Sequence, residues 1–426
     1  MIKAAILTIG DELLLGQTID TNSAFIGTLL NDAGFEVIKK STVGDNYQQI
    51  WNALDDLSTH HQIIIITGGL GPTADDITKP LLCKYFGGQL VLNSDVLDHV
   101  KYLFEKKYNR PASFLFARNQ NQALVPDVCK IVLNHLGTAP GMWFEKPNKN
   151  QEKTVFISLP GVPYEMQAMM EENVIPSLKE SFQPSTIIHK HFLTYGAGES
   201  TIAELLTGFE EALPEHIKLA YLPSYGMVKL RLSSKPIQIE NGQKEMDTLA
   251  ATLKSLIHDY FISDKDESFE KAIFDFIKEK NITLATAESC TGGNIARSIT
   301  QFPGASSFFM GGIVAYDNRI KENILHVQHQ TLIDHGAVSE ETAIEMVQGC
   351  LTAMQTEIAI SITGILGLGG GSAEKPVGTV WLAIANKNCT KTLLLNLKQN
   401  RERNIQIATL QAFNLIRKFI VENYKN

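Results

Sequence analysis

The chain is poor in the features that mark several large protein classes. Its five cysteines, Cys83, Cys129, Cys290, Cys350 and Cys389, are odd in number, widely spread and without a CxxC pair. This pattern excludes a disulfide framework and thiolate metal sites, and leaves reduced thiols as the default. No run approaches the roughly 20 apolar residues of a membrane span, and no histidine pair has metal-ligand spacing. The first residues enter a strand pattern without a long apolar leader, so a cytoplasmic protein with no membrane partner is expected. Excess positive charge is also missing. The 38 Lys and Arg against 46 Asp and Glu leave a net −8, which argues against a general nucleic-acid-binding role. Neither the Walker pattern nor GxGxxG occurs, so kinase-type and dinucleotide Rossmann readings have no motif support.

What remains is an ordinary globular composition, 44% hydrophobic and 20% charged over 426 residues. At about 150 residues per domain, this predicts two or three domains. Strand-like runs at Ala4 to Thr8, Glu36 to Val43, Gln62 to Thr67 and Val155 to Leu159 alternate with helical patterns at Ser23 to Ala33 and Tyr47 to Leu57. That alternation predicts an α/β domain with a parallel, helix-covered sheet over 1–175. Between Pro184 and Phe261 the pattern changes to a small α+β module, 184–262, followed by the acidic linker Asp264-Lys265-Asp266-Glu267. The segment 268–426 restarts α/β alternation and ends in a long helix from near Arg401.

Ligands of such sheets sit at the carboxyl ends of strands, and three Gly-rich stretches fall there. In the first domain, Gly68, Gly69 and Gly71 can bring backbone amides to a phosphate, while Asp11, Glu12, Asp75 and Asp76 could surround a divalent metal bridging phosphates. Turn and N-cap chemistry is the plainer alternative. In the last domain, Thr286-Ala287-Glu288-Ser289-Cys290-Thr291-Gly292-Gly293 joins a strand to a helix, where free amides would face an anion. Five glycines between Gly364 and Gly371, Gly369 and Gly370 among them, suit a backbone wrapped round a ligand. A second cluster holds Ser306, Tyr316 and Lys321. A serine becomes a nucleophile when a base takes its proton, and a lysine with a burial-lowered pKa can do so. On spacing alone, Lys321 reads equally as a solvated helix lysine and Tyr316 as a core aromatic.

Together these motifs resemble the competence/damage-inducible CinA family along essentially the whole chain. Gly10 to Asn22 (GDELLLGQTIDTN), Thr67 to Asp76 (TGGLGPTADD), Gly137 to Met142 and Leu159 to Met166 are similar to its molybdopterin-binding-like domain. TAESCTGG, Gly336 to Ala343 and Glu374 to Trp381 are similar to its nicotinamide mononucleotide deamidase domain, and the middle module to its KH-like domain. No GXXG loop occurs there, so a KH-type nucleic-acid grip is not expected. The resemblance implies hydrolysis of nicotinamide mononucleotide to nicotinate mononucleotide and ammonia without a cofactor. Its nucleophile falls on Ser306, its tyrosine on Tyr316 and its lysine on Lys321. Its nucleotide-contacting positions fall on Ser289, Thr363 and Arg401, and beside them Thr291, Gly292, Gly293, Gly369 and Gly370 offer a hydroxyl and close backbone approach to the substrate. The loop departs from the family's Gly-Ile-Ala-Gly-Pro at Leu368. For the first domain the resemblance implies a metal-dependent ADP-ribose pyrophosphatase, with Asn22 and the three glycines on phosphate. It also implies a homodimer. The competing reading is a molybdopterin- or DNA-associated binding protein with one active domain.

Overall fold

The computed structural model describes residues 2–71, 76–107, 120–148, 151–184, 187–234, 239–367 and 369–424; Asp75 and Leu368 therefore lie outside the described residues. The chain forms two compact units. One comprises 1–189, 215–217 and 233–248, and the other 190–214, 218–232 and 249–426.

The first unit is built on strands β1 (Lys3–Ile9), β2 (Glu36–Val43), β3 (Ile63–Thr67), β4 (Leu90–Leu92), β5 (Leu124–Pro126), β6 (Lys130–Val132), β7 (Gly141–Pro147) and β8 (Lys153–Leu159). Six of them form one sheet in the order β2-β1-β3-β8-β7-β6. The four strands from β2 to β8 are parallel, as the alternation predicts, but β7 and β6 extend the sheet antiparallel. The short connection from β7 to β8 is the reason, since a tight link can only join antiparallel neighbours. The run Ile63-Ile64-Ile65-Ile66 is buried throughout because helices cover both faces. Ile63 and Ile65 join one core with the helix Thr21–Asp32, while Ile64 and Ile66 join the other with the helix Tyr47–His60. Strands β1, β3 and β8 end at one edge of the sheet, and the motif loops leave from that edge.

The middle segment contributes β9 (His189–Tyr195), β10 (Ile217–Ser224), β11 (Met227–Ser234) and β12 (Phe261–Ser263), in the sheet order β10-β11-β9-β12. Most of this sheet belongs to the second unit. Tyr195 stacks on Phe269 at 4.4 Å between ring centroids, so module and C-terminal segment share a core. That segment adds β13 (Leu284–Glu288), β14 (Phe309–Val314), β15 (Ile358–Gly364), β16 (Thr379–Ala385) and β17 (Thr390–Asn396), ordered β14-β13-β15-β16-β17. The first three are parallel and the last two antiparallel. Large apolar residues such as Ile360 and Leu382 meet the helices Phe269–Lys280 and Arg401–Asn423 on one face. Alanines such as Ala285, Ala359 and Ala383 let the helix Glu340–Met354 approach closely on the other. No helix among the described residues is long and apolar enough to cross a membrane.

Candidate functional site

The carboxyl ends of β13, β14 and β15 converge on one spot in the second unit. Glu288 pairs with Val314 on one side and Ile362 on the other, so the next residue, Ser289, lies between Ala315 and Thr363. Backbone bonds hold it there: Ser289 N donates to Ile362 O at 3.0 Å, and Ala315 N to Glu288 O at 2.8 Å. Lys321, on the helix Asn318–Leu325, is only 1% exposed. Its Nζ donates to Ala315 O at 2.9 Å and to Tyr316 O at 3.5 Å, which places it one strand from Ser289. Burial pushes the Lys321 pKa below its ordinary value, against the pull of Asp317. Tyr316 is exposed, and its hydroxyl accepts from the Arg401 guanidinium at 3.5 Å. A Cβ at Gly367 would approach that guanidinium to 2.8 Å, so the glycine makes room for it.

The octad does not present its helix N-terminus to an anion. Glu288, 1% exposed, already occupies it: its Oε2 accepts from Ile295 N at 3.0 Å and Thr291 Oγ1 at 2.7 Å, and its Oε1 from Ala296 N at 2.8 Å. A carboxylate here satisfies the amides that open the helix Asn294–Thr300. The hydroxyl proton of Thr291 is thereby used internally, and Gly292 and Gly293 serve the turn, at φ 61° and 95°. Likewise, the Thr363 hydroxyl is buried and donates to Ala337 O at 2.6 Å. Gly369 and Gly370 are exposed, with Gly370 at φ 88°. Burial, with the charge of Glu288 adding to it, pushes the Cys290 thiol up to about 12, so it stays protonated at neutral pH.

The serine expected to act with Lys321 is at the wrong end of the sheet. Ser306 lies in the short turn Ala305–Ser307 before β14, whereas Tyr316 and Lys321 follow that strand. Six residues of strand at about 3.3 Å each separate the two groups by roughly 20 Å. Ser306 is exposed and close to the amino end of β13, whereas Ser289 follows the carboxyl end of that strand, at the edge where Lys321 lies. Sequence spacing cannot distinguish the two, because both serines flank strand ends.

In the first unit, a cavity of about 460 Å³ opens at the carboxyl edge. Asn22, Gly68, Gly69, Gly71, Glu12, Asp76 and Glu165 line it. Two of the three glycine amides expected to face a phosphate are engaged within the fold. Gly68 N donates to Leu159 O at 3.2 Å and Gly71 N to Asp76 Oδ1 at 2.7 Å, so both are used within the fold. Asn22 Nδ2 donates to Thr67 Oγ1 at 3.1 Å and Gly161 O at 2.8 Å, while its buried Oδ1 has no partner among the described residues. Asp11 is diverted from the cavity: Asp45 N donates to its carboxylate at 3.2 Å, and Asp11 N returns a bond to Asp45 at 3.1 Å. Among the described residues no three His, Cys, Asp or Glu side chains are grouped to hold a metal. The metal set of Asp11, Glu12, Asp75 and Asp76 thus reduces, within those residues, to Glu12 and Asp76 on the cavity wall. A residue the motifs did not single out is Glu165, buried at the cavity and accepting from Asn134 Nδ2 at 2.7 Å. Its only sequence signal is its place in LPGVPYEM.

Comparison with known proteins finds relatives along nearly the whole chain. Residues 5–180 match the model of a probable molybdopterin binding domain, 189–263 that of the damage-inducible protein CinA KH domain, and 266–420 that of the CinA C-terminal domain. A CinA-like protein of Flavobacterium psychrophilum is 43% identical over 423 residues, covering 99% of each chain. One of Cytophaga hutchinsonii is 42% identical over 421 residues, again covering 99% of each. The crystal structure of a competence/damage inducible protein from Agrobacterium tumefaciens is 35% identical, with a TM-score of 0.34, and covers 35% of this chain and 92% of that one. On near-complete, two-fifths-identical relatives and three matched domains, the chain belongs to the CinA family.

Proposed function

We propose that the second unit hydrolyses the carboxamide of nicotinamide mononucleotide, giving nicotinate mononucleotide and ammonia, with Ser289 as nucleophile and Lys321 as its base. The observation that carries this reading is the buried Lys321 amine, fixed on Ala315 O one strand from Ser289. A neutral amine has two N–H groups and one lone pair. The two carbonyls of Ala315 and Tyr316 take the former, and the lone pair is left for the serine proton. Ser289 Oγ attacks the carboxamide carbon as its proton passes to Lys321 Nζ; that proton then leaves with the amide nitrogen as ammonia. Water, deprotonated by the same amine, cleaves the resulting ester to the acid and restores the serine. The amides of Cys290 and Thr291 follow the nucleophile directly, a suitable place for oxyanion donors. Arg401 and Tyr316 close the substrate side, with the guanidinium available to a phosphate.

Ammonia release from nicotinamide mononucleotide tests the assignment. Ser289→Ala should lower kcat by at least about a thousandfold, while Ser306→Ala stays near wild type. Retained activity in Ser289→Ala would overturn it.

For the first unit we propose metal-dependent cleavage of ADP-ribose to AMP and ribose phosphate. The cavity volume suits a nucleotide-sized ligand. Glu12 and Asp76 would hold a divalent cation jointly with substrate phosphates, and the cation would neutralise phosphoryl charge. Asn22 Oδ1, without a partner among the described residues, is an acceptor for a ribose hydroxyl. EDTA should abolish AMP release and leave deamidation in the same sample unchanged; AMP release that survives EDTA would refute the metal role.

A further inference from the structure

Away from both sites, a cavity of about 760 Å³ opens in the second unit between the β10–β11 turn and the helices Asn294–Thr300 and Arg401–Asn423. Arg297 enters it from the first helix and Arg403 from the second. Among the described residues the arginine–carboxylate ion pair is Arg319 with Asp317, so neither cavity guanidinium is neutralised in that way. Tyr225, at the tip of the turn and 42% exposed, has the Arg403 guanidinium 5.7 Å from its ring centroid. One carboxylate, Glu270, shares the wall, with Gln301, Gln406 and Ser298 as neutral polar groups. Two guanidiniums brought from separate helices to the wall of one cavity outweigh its single carboxylate, which suits a phosphate, and their planar forks match phosphate oxygens. An aromatic ring beside them offers a stacking face for a base.

We propose that this cavity is a binding site for a nucleoside monophosphate, distinct from both hydrolytic sites. The phosphate lies between Arg297 and Arg403, the base stacks on Tyr225, and a ribose hydroxyl donates to Glu270. The volume is within the range of small-ligand pockets. None of its lining residues belongs to either catalytic arrangement, although Arg403 stands two positions from Arg401 on the same helix.

Calorimetric titration of the full chain with AMP tests it. The Arg297→Gln/Arg403→Gln double variant alters two exposed side chains and should retain the wild-type Tm and deamidation rate. It should lose one AMP equivalent per chain or bind it at least about tenfold more weakly. AMP held in the first-unit cavity is present in both proteins and cancels in the comparison. Tyr225→Ala should weaken AMP several-fold and leave inorganic phosphate binding unchanged. An unchanged AMP isotherm in the double variant would overturn the site. An unchanged AMP isotherm in Tyr225→Ala would overturn the nucleotide assignment.

Discussion

Glu288→Gln gives a direct measure of how the octad works. The carboxylate accepts three buried hydrogen bonds, from Ile295 N, Ala296 N and Thr291 Oγ1, at 3.0, 2.8 and 2.7 Å. With its oxygen in the Oε2 position glutamine keeps the bonds from Ile295 N and Thr291 Oγ1 but faces Ala296 N with an NH₂, so one bond is lost and the other two lose about half their strength with the charge. At roughly 1.5 kcal/mol for a hydrogen bond to a charged group, the lower end of its range, the loss is about 3 kcal/mol. For a unit of this size, about 2–4 °C per kcal/mol converts it to a fall in Tm of roughly 6–12 °C. Calorimetry or thermal circular dichroism of the full chain reads this directly. If the helix amides instead served the substrate phosphate, the substitution would leave Tm in place and tighten substrate binding by removing a competing anion. An unchanged Tm together with a lower KM for nicotinamide mononucleotide would therefore refute the internal cap.

Three further tests address neighbouring parts of the reasoning. Burial lowers the Lys321 pKa, so kcat/KM for deamidation should rise with pH through a limb below the ordinary lysine value of about 10.4, and Lys321→Met should abolish that limb. Gly367→Ala sets a methyl 2.8 Å from the movable Arg401 guanidinium; KM should rise several-fold with Tm unchanged, and a large Tm loss would show the glycine to be structural. Lys79 is buried, donates to Asn121 O and Gln122 O, and burial lowers its pKa from 10.5 to about 8. Between those values the unfolded chain binds the extra proton, so stability should rise with pH from about 8 to 10.5, by an order-of-magnitude 3 kcal/mol. Lys79→Met should flatten that rise in denaturant titrations at fixed pH values.

Much of this protein is legible in local patterns. The Ile63 to Ile66 run announced a buried central strand, because only a strand covered on both faces tolerates four consecutive isoleucines. Asn46 before the helix Tyr47–His60 and Asn400 before Arg401–Asn423 are helix caps written in adjacent residues. The motif loops also identified the family. The antiparallel β7 and β6 were less visible, since a pairing direction depends on how a connection folds back.

Which groups meet at each site was decided by tertiary structure. Ser289 and Ser306 look equivalent as hydroxyls near strand ends, and their distances in sequence from Lys321 even favour the latter. Parallel pairing of β14 with β13 carries Lys321 back to the carboxyl end of β13 and leaves Ser306 at the opposite edge. The same holds for Glu288, whose neighbours in sequence suggested an open anion site until the turn folded its carboxylate onto the helix amides. Periodicity, caps and turns act over a few residues, so sequence alone determines them. The meeting of a lysine, a serine and a guanidinium depends on strand order and register across more than a hundred residues, and no local pattern encodes that.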